Sequence, residues 1–101
     1  DVLHSICAGL DVHRDTVVAC VRQVRGREVV HETETFATTT AGLMALSSWL
    51  QGFGVPVAVM EATGVYWRPV WHVLEEDVEL VLANAQHVRN VPGRKTDVSD
   101  A

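Results

Sequence analysis

Ser5-Ile6-Cys7-Ala8-Gly9-Leu10-Asp11-Val12 is the stretch that decides the fold. It is apolar at both alternating sets of positions until Asp11, the pattern of a central strand covered on both sides. His13, Arg14 and Asp15 make a short polar connection, and Thr16 to Val24 is a second β-branched run, so the pair reads as a hairpin. Arg25-Gly26-Arg27 is a second turn. Residues 28 to 36 then alternate, with Val30, Glu32, Glu34 and Phe36 on one face and Val29, His31, Thr33 and Thr35 on the other. A mixed pattern of that kind suits a third strand at the edge of the sheet.

The period changes at Thr38-Thr39-Thr40, where any of the hydroxyls can cap a helix. Leu43, Leu46, Trp49, Leu50 and Phe53 follow at three- and four-residue spacing, a single apolar helical stripe that Gly52 and Gly54 should stop. Pro56 to Met60 reads as a short apolar strand ending on Glu61. A second helix is expected from about Tyr66 to Glu76, with Pro69 in its first turn and Trp67, Val70, Trp71 and Leu74 facing inward. Glu79 to Leu82 is a fifth strand, residues 83 to 95 a loop or short helix, and Thr96 a cap for a final helix. Three strands, helix, strand, helix, strand and the start of a helix predict an α/β domain, a mixed sheet with helices on its faces in the ribonuclease H-like order βββαβαβ.

A chain of 101 residues can bury one core, and residues 1–101 are expected to form one domain. An apolar fraction of 48% with 21% charged residues argues against disorder. No apolar run approaches a bilayer span and no secretory leader opens the sequence, so a cytoplasmic location is the expectation. Cys7 and Cys20 lie in apolar strand-like runs and read as small core side chains. The net charge of −5 speaks, taken alone, against a simple nucleic-acid clamp.

Four of the negative charges have another reading. Asp11 ends the first strand and Glu61 the fourth; in this topology the two are parallel neighbours, roughly 4.8 Å apart, so their ends can bring two carboxylates to one ion. A charge closing an apolar strand is costly if buried unpaired, which favours a ligand role for both. Asp97 and Asp100 stand three apart and share one face of a helix, from which they can close the site; equally, the helix dipole alone would favour them in a first turn. Oxygen donors without a His/Cys cluster select Mg²⁺ or Mn²⁺ over zinc. Two such ions about 3.5–4 Å apart would clamp the attacking and leaving oxygens of a phosphodiester. With these four charges set aside, the remainder of the chain is close to neutral.

Three segments carry a more specific signal: Gly9-Leu10-Asp11-Val12, Met60-Glu61-Ala62-Thr63-Gly64-Val65-Tyr66-Trp67, and Pro92-Gly93-Arg94-Lys95-Thr96-Asp97-Val98-Ser99-Asp100-Ala101. In this order they resemble the DEDD-type insertion-sequence transposases, the bridge-RNA-guided recombinases, whose amino-terminal domain is similar in fold to RuvC-type Holliday-junction resolvases. The resemblance covers essentially the whole chain. It implies that Asp11, Glu61, Asp97 and Asp100 are the catalytic, metal-binding quartet, with Mg²⁺ or Mn²⁺ as cofactor. It further implies DNA cleavage and rejoining during transposition, a structured guide RNA as partner, and a homo-oligomer in the full-length protein. Family members carry a second, carboxy-terminal domain with an attacking serine; Ser5, Ser47, Ser48 and Ser99 match no part of that motif, and residues 1–101 alone are expected to be inactive.

Around this quartet, Arg94 and Lys95 can hold phosphate or belong to a solvated loop. Tyr66, Trp67 and Arg68 can contact nucleic acid, although Trp67 also fits the core stripe, and Trp49 and Trp71 are core residues by spacing. His4, His13, His31, His72 and His87 form no ligand pattern. An alternative function is a module that binds and assembles nucleic acid while another domain supplies the chemistry. A third, an actin-like or sugar-kinase ATPase lobe, would need a glycine-rich phosphate hairpin where His13-Arg14-Asp15 stands.

Overall fold

The computed structural model describes residues 5–62 and 64–83. Seven elements follow one another: β1 (Ile6–Val12), β2 (Thr16–Arg25), β3 (Glu28–Ala37), α1 (Thr40–Phe53), β4 (Val57–Ala62), α2 (Trp67–Leu74) and β5 (Glu79–Ala83). The strands form one five-stranded sheet in the order β3-β2-β1-β4-β5. β1 pairs antiparallel with β2 and parallel with β4, β2 is antiparallel to β3, and β4 is parallel to β5. This is the mixed, ribonuclease H-like arrangement read from the sequence, with β3 at one edge as expected.

The covering of the sheet differs from the expectation. Ala8, Leu10 and Val12 of β1, Val17, Ala19 and Val21 of β2, and Ala58, Met60 and Ala62 of β4 are buried with Leu43, Leu46 and Leu50 of α1 and Val70 and Leu74 of α2 in one core. Both described helices therefore pack on the same face. On the other face, Gly9 and Asp11 are exposed, and Cys7, Val18, Cys20 and Val59 are only half-buried. Among the described residues β1 is covered on one side, and its second apolar set lines an open sheet face. The two cysteines belong to that open face and are free thiols rather than core residues.

Local chemistry explains the element ends. Of the three threonines, Thr39 is the helix cap: its backbone is extended and its hydroxyl accepts from Gly42 N–H at 3.0 Å. Thr38 instead donates its hydroxyl to the Arg14 carbonyl at 2.9 Å. Gly52 lies inside α1, and Gly54 alone stops it, at φ 72°, with its N–H on the Gln51 carbonyl and the Val55 N–H on the Leu50 carbonyl. Helix α2 is shorter than the span from Tyr66 to Glu76, because Tyr66 and Glu75 flank it and Tyr66 makes no side-chain cap. Its inward residues are Val70 and Leu74, with Trp67 and Trp71 half-buried against the core and edge-on to one another at 5.8 Å between ring centroids. Trp49 is likewise half-buried, between Phe36 and Phe53. No helix among the described residues is long and apolar enough to cross a membrane.

Candidate metal centre

Asp11 and Glu61 are direct register partners in the parallel β1–β4 pair, one residue before each strand ends. Paired residues of neighbouring strands point to the same face, so both carboxylates rise from the open side of the sheet. They stand at the C-terminal ends of two parallel strands, where open α/β sheets place ligands. The sequence predicts Glu61 as the last residue of its strand; the strand runs one residue further, to Ala62, and the buried alternation Ala58, Met60, Ala62 sends Glu61 outward. The helix-facing positions are filled by apolar side chains, which leaves the open face as the place for a charge.

Both carboxylates are exposed. Neither carries the cost of a buried unpaired charge, and what marks the pair is alignment rather than desolvation. The surface beside them is a depression of about 400 Å³ bordered by Gly9, Asp11, Val18, Cys20, Val59 and Glu61. Gly9 forms its floor: it pairs with Cys20 and Val59 on either side, and a Cβ at this position would meet no atom within 4 Å.

The connection after β1 closes in on the same end. The His13 Nε2 atom lies 3.1 Å from Asp11 Oδ2, a contact missed when the five histidines were read as lacking a pattern. The signal was available in the Asp-x-His spacing, which puts residues 11 and 13 on one side of an extended chain. Arg14 pairs with Asp15 at 3.2 Å. The hydrogen bond and charge of Asp15 raise the Arg14 guanidinium above its ordinary range, with a further contribution from Tyr66. Tyr66 is 42% exposed, and Arg68 lies over the Trp67 ring at 5.6 Å from its centroid.

As donors, two exposed carboxylates in register fit one side of a site for a hard divalent cation. Among the described residues no group of three or more His, Cys, Asp or Glu side chains converges on a single point. Asp97 and Asp100, and with them Arg94 and Lys95, lie outside the described residues.

A search of the curated proteins finds no match. Among solved structures, the fowlpox virus Holliday junction resolvase is similar to 94% of this chain over 83% of its own, with a TM-score of 0.59 and 9% identity. An exopolyphosphatase from Cytophaga hutchinsonii matches 78% of the chain at TM-score 0.55 and 10% identity, and the Aquifex aeolicus Ppx/GppA enzyme 81% at 0.53 and 12%. The chain spans only 33% and 36% of those two proteins. At such identities these likenesses establish the ribonuclease H-like fold and nothing about activity. The sequence itself matches the DEDD transposase family model of the IS110 type, described as "Transposase", over residues 8–101. By that match, which takes in both strand-end carboxylates, the chain belongs to the IS110-type DEDD transposase family.

Proposed function

We propose that this chain is the metal-binding domain of a DNA transposase or recombinase, acting in strand cleavage and rejoining during transposition of an insertion sequence. Asp11 and Glu61 hold one side of a Mg²⁺ or Mn²⁺ site, and Asp97 and Asp100 complete it. The single observation behind this reading is the register pairing of Asp11 with Glu61 on an open sheet face. When bound, such cations neutralise charge developing at a phosphodiester and activate an attacking oxygen. The protein's own part is positional: rigid parallel strands fix the two carboxylates, and the glycine floor leaves room above them. Arg94, Lys95, Tyr66 and Arg68 contact the nucleic-acid backbone or bases; Tyr66 and Arg68 are exposed and follow Glu61 in the chain, which supports that role. The substrate is DNA, a structured guide RNA is a partner, and the full-length protein is a homo-oligomer. No residue within 1–101 is assigned as nucleophile.

Calorimetric titration of the chain with Mn²⁺ tests the assignment. Asp11→Asn combined with Glu61→Gln should abolish binding, and unchanged binding in that variant would sink it. Gel shifts with DNA and RNA, with and without Mg²⁺, separate this reading from a module that only assembles nucleic acid, because the latter requires affinity for RNA that is independent of metal.

A further inference from the structure

We propose that His13 is a positioning residue of the carboxylate pair, fixing which oxygen of Asp11 is presented to a divalent cation. The inference rests on the metal-site reading above and deepens it. The His13 Nε2 atom is 3.1 Å from Asp11 Oδ2. With its hydrogen on Nε2 the imidazole donates to that oxygen, fixes the plane of the carboxylate and leaves Oδ1 for the ion. Ligating carboxylates are commonly held in this way by a hydrogen-bonding neighbour outside the coordination sphere.

The backbone that carries the imidazole is held in place. The His13 N–H donates to the Thr16 carbonyl at 2.8 Å and closes the β1–β2 turn. From outside, Thr38 grips the same turn twice, its hydroxyl on the Arg14 carbonyl at 2.9 Å and its N–H on the Asp15 carbonyl at 3.0 Å. Arg14 is engaged by Asp15 and does not compete for Asp11. The His13 and Asp11 side chains are 57% and 60% exposed, so water could satisfy either of them. Their bond therefore contributes orientation rather than relief from burial. Among the described residues the hydrogen bonds give Asp11 a side-chain partner and Glu61 none, so within them only the Asp11 carboxylate is oriented by a neighbour.

The test is Mn²⁺ titration of the 101-residue chain as wild type, Asp11→Asn, His13→Ala and His13→Gln, with thermal unfolding of each. His13→Ala should weaken Mn²⁺ binding by about 10-fold, the lower end of the effect of removing an outer partner, because the bond is exposed. His13→Gln, whose amide reaches a comparable distance, should stay within about threefold of wild type, a rescue that a merely structural role would not produce. Wild-type affinity in His13→Ala, with binding lost in Asp11→Asn, would overturn the role of His13 and leave the metal site standing. Loss in His13→Gln equal to that in His13→Ala, at unchanged melting temperature, would also overturn it. If wild type binds no Mn²⁺, or Asp11→Asn changes nothing, the metal-site reading fails and the inference falls with it.

Discussion

Gly42→Ala should destabilise this domain, against the ordinary rule for helices. Glycine in a helix is normally about 1 kcal/mol less favourable than alanine, so the substitution usually stabilises. Here a Cβ at position 42 would run into the backbone carbonyl of Ala37, the last residue of β3. That carbonyl cannot swing aside as a flexible side chain would. Ala37 is paired with Thr16 in the sheet, and the following Thr38 grips the β1–β2 turn. Overpacking against atoms that resist costs about 1–3 kcal/mol, more than the gain in propensity. Set against the gain of about 1 kcal/mol, the net loss reaches about 2 kcal/mol, which for a domain of this size lowers the melting temperature by up to roughly 8–16 °C. Gly52→Ala is the internal control, since it lies in the same helix with negative φ and a Cβ there meets nothing within 4 Å. It should stabilise by up to about 1 kcal/mol. Thermal and urea unfolding of both variants give the answer, and a melting temperature in Gly42→Ala equal to or above wild type would refute the reasoning.

Three further substitutions probe the frame around the site. Thr39→Ala removes the hydroxyl that accepts from Gly42 N–H and should cost about 1 kcal/mol in urea unfolding. Gly54→Ala forces a side chain into the left-handed region at φ 72° and should cost about 1–2 kcal/mol, seen as an earlier urea midpoint at unchanged slope. Leu46→Ala, at a fully buried position on α1, should cost about 2–5 kcal/mol, enough for differential scanning calorimetry to find a large fall in melting temperature.

The order of elements along the chain and the edge character of β3 were legible in hydrophobic period and connection length, because those rules act within a few residues; the pairing of β1 with β4 joins distant segments and followed only from matching that order to the ribonuclease H-like topology. What covers each face was not. Cys7, Gly9, Val18 and Val59 look as apolar as Ala8, Leu10 and Met60, and only the register and the placement of both helices separate the open set from the buried one. The same limit inverted the argument for Asp11 and Glu61. Their placement at strand ends was correct, but the cost of burial used to support it does not arise at exposed positions. Helix ends depended on single hydrogen bonds: Thr39 and Thr38 are chemically equivalent in sequence, and only the proximity of the Arg14 carbonyl divides their roles. His13 went unread because five scattered histidines hid one that sits two residues from a carboxylate. Asp97 and Asp100 rest on the family resemblance, since a pair of aspartates in the first turn of a helix has a sufficient explanation in the helix dipole.

The central claim, that Asp11 and Glu61 act together on one ion, is tested most directly by anomalous diffraction from crystals soaked in Mn²⁺. The account predicts a peak between the two side chains, roughly 2.0–2.3 Å from an oxygen of each. A peak elsewhere on the protein with none between Asp11 and Glu61 would contradict it.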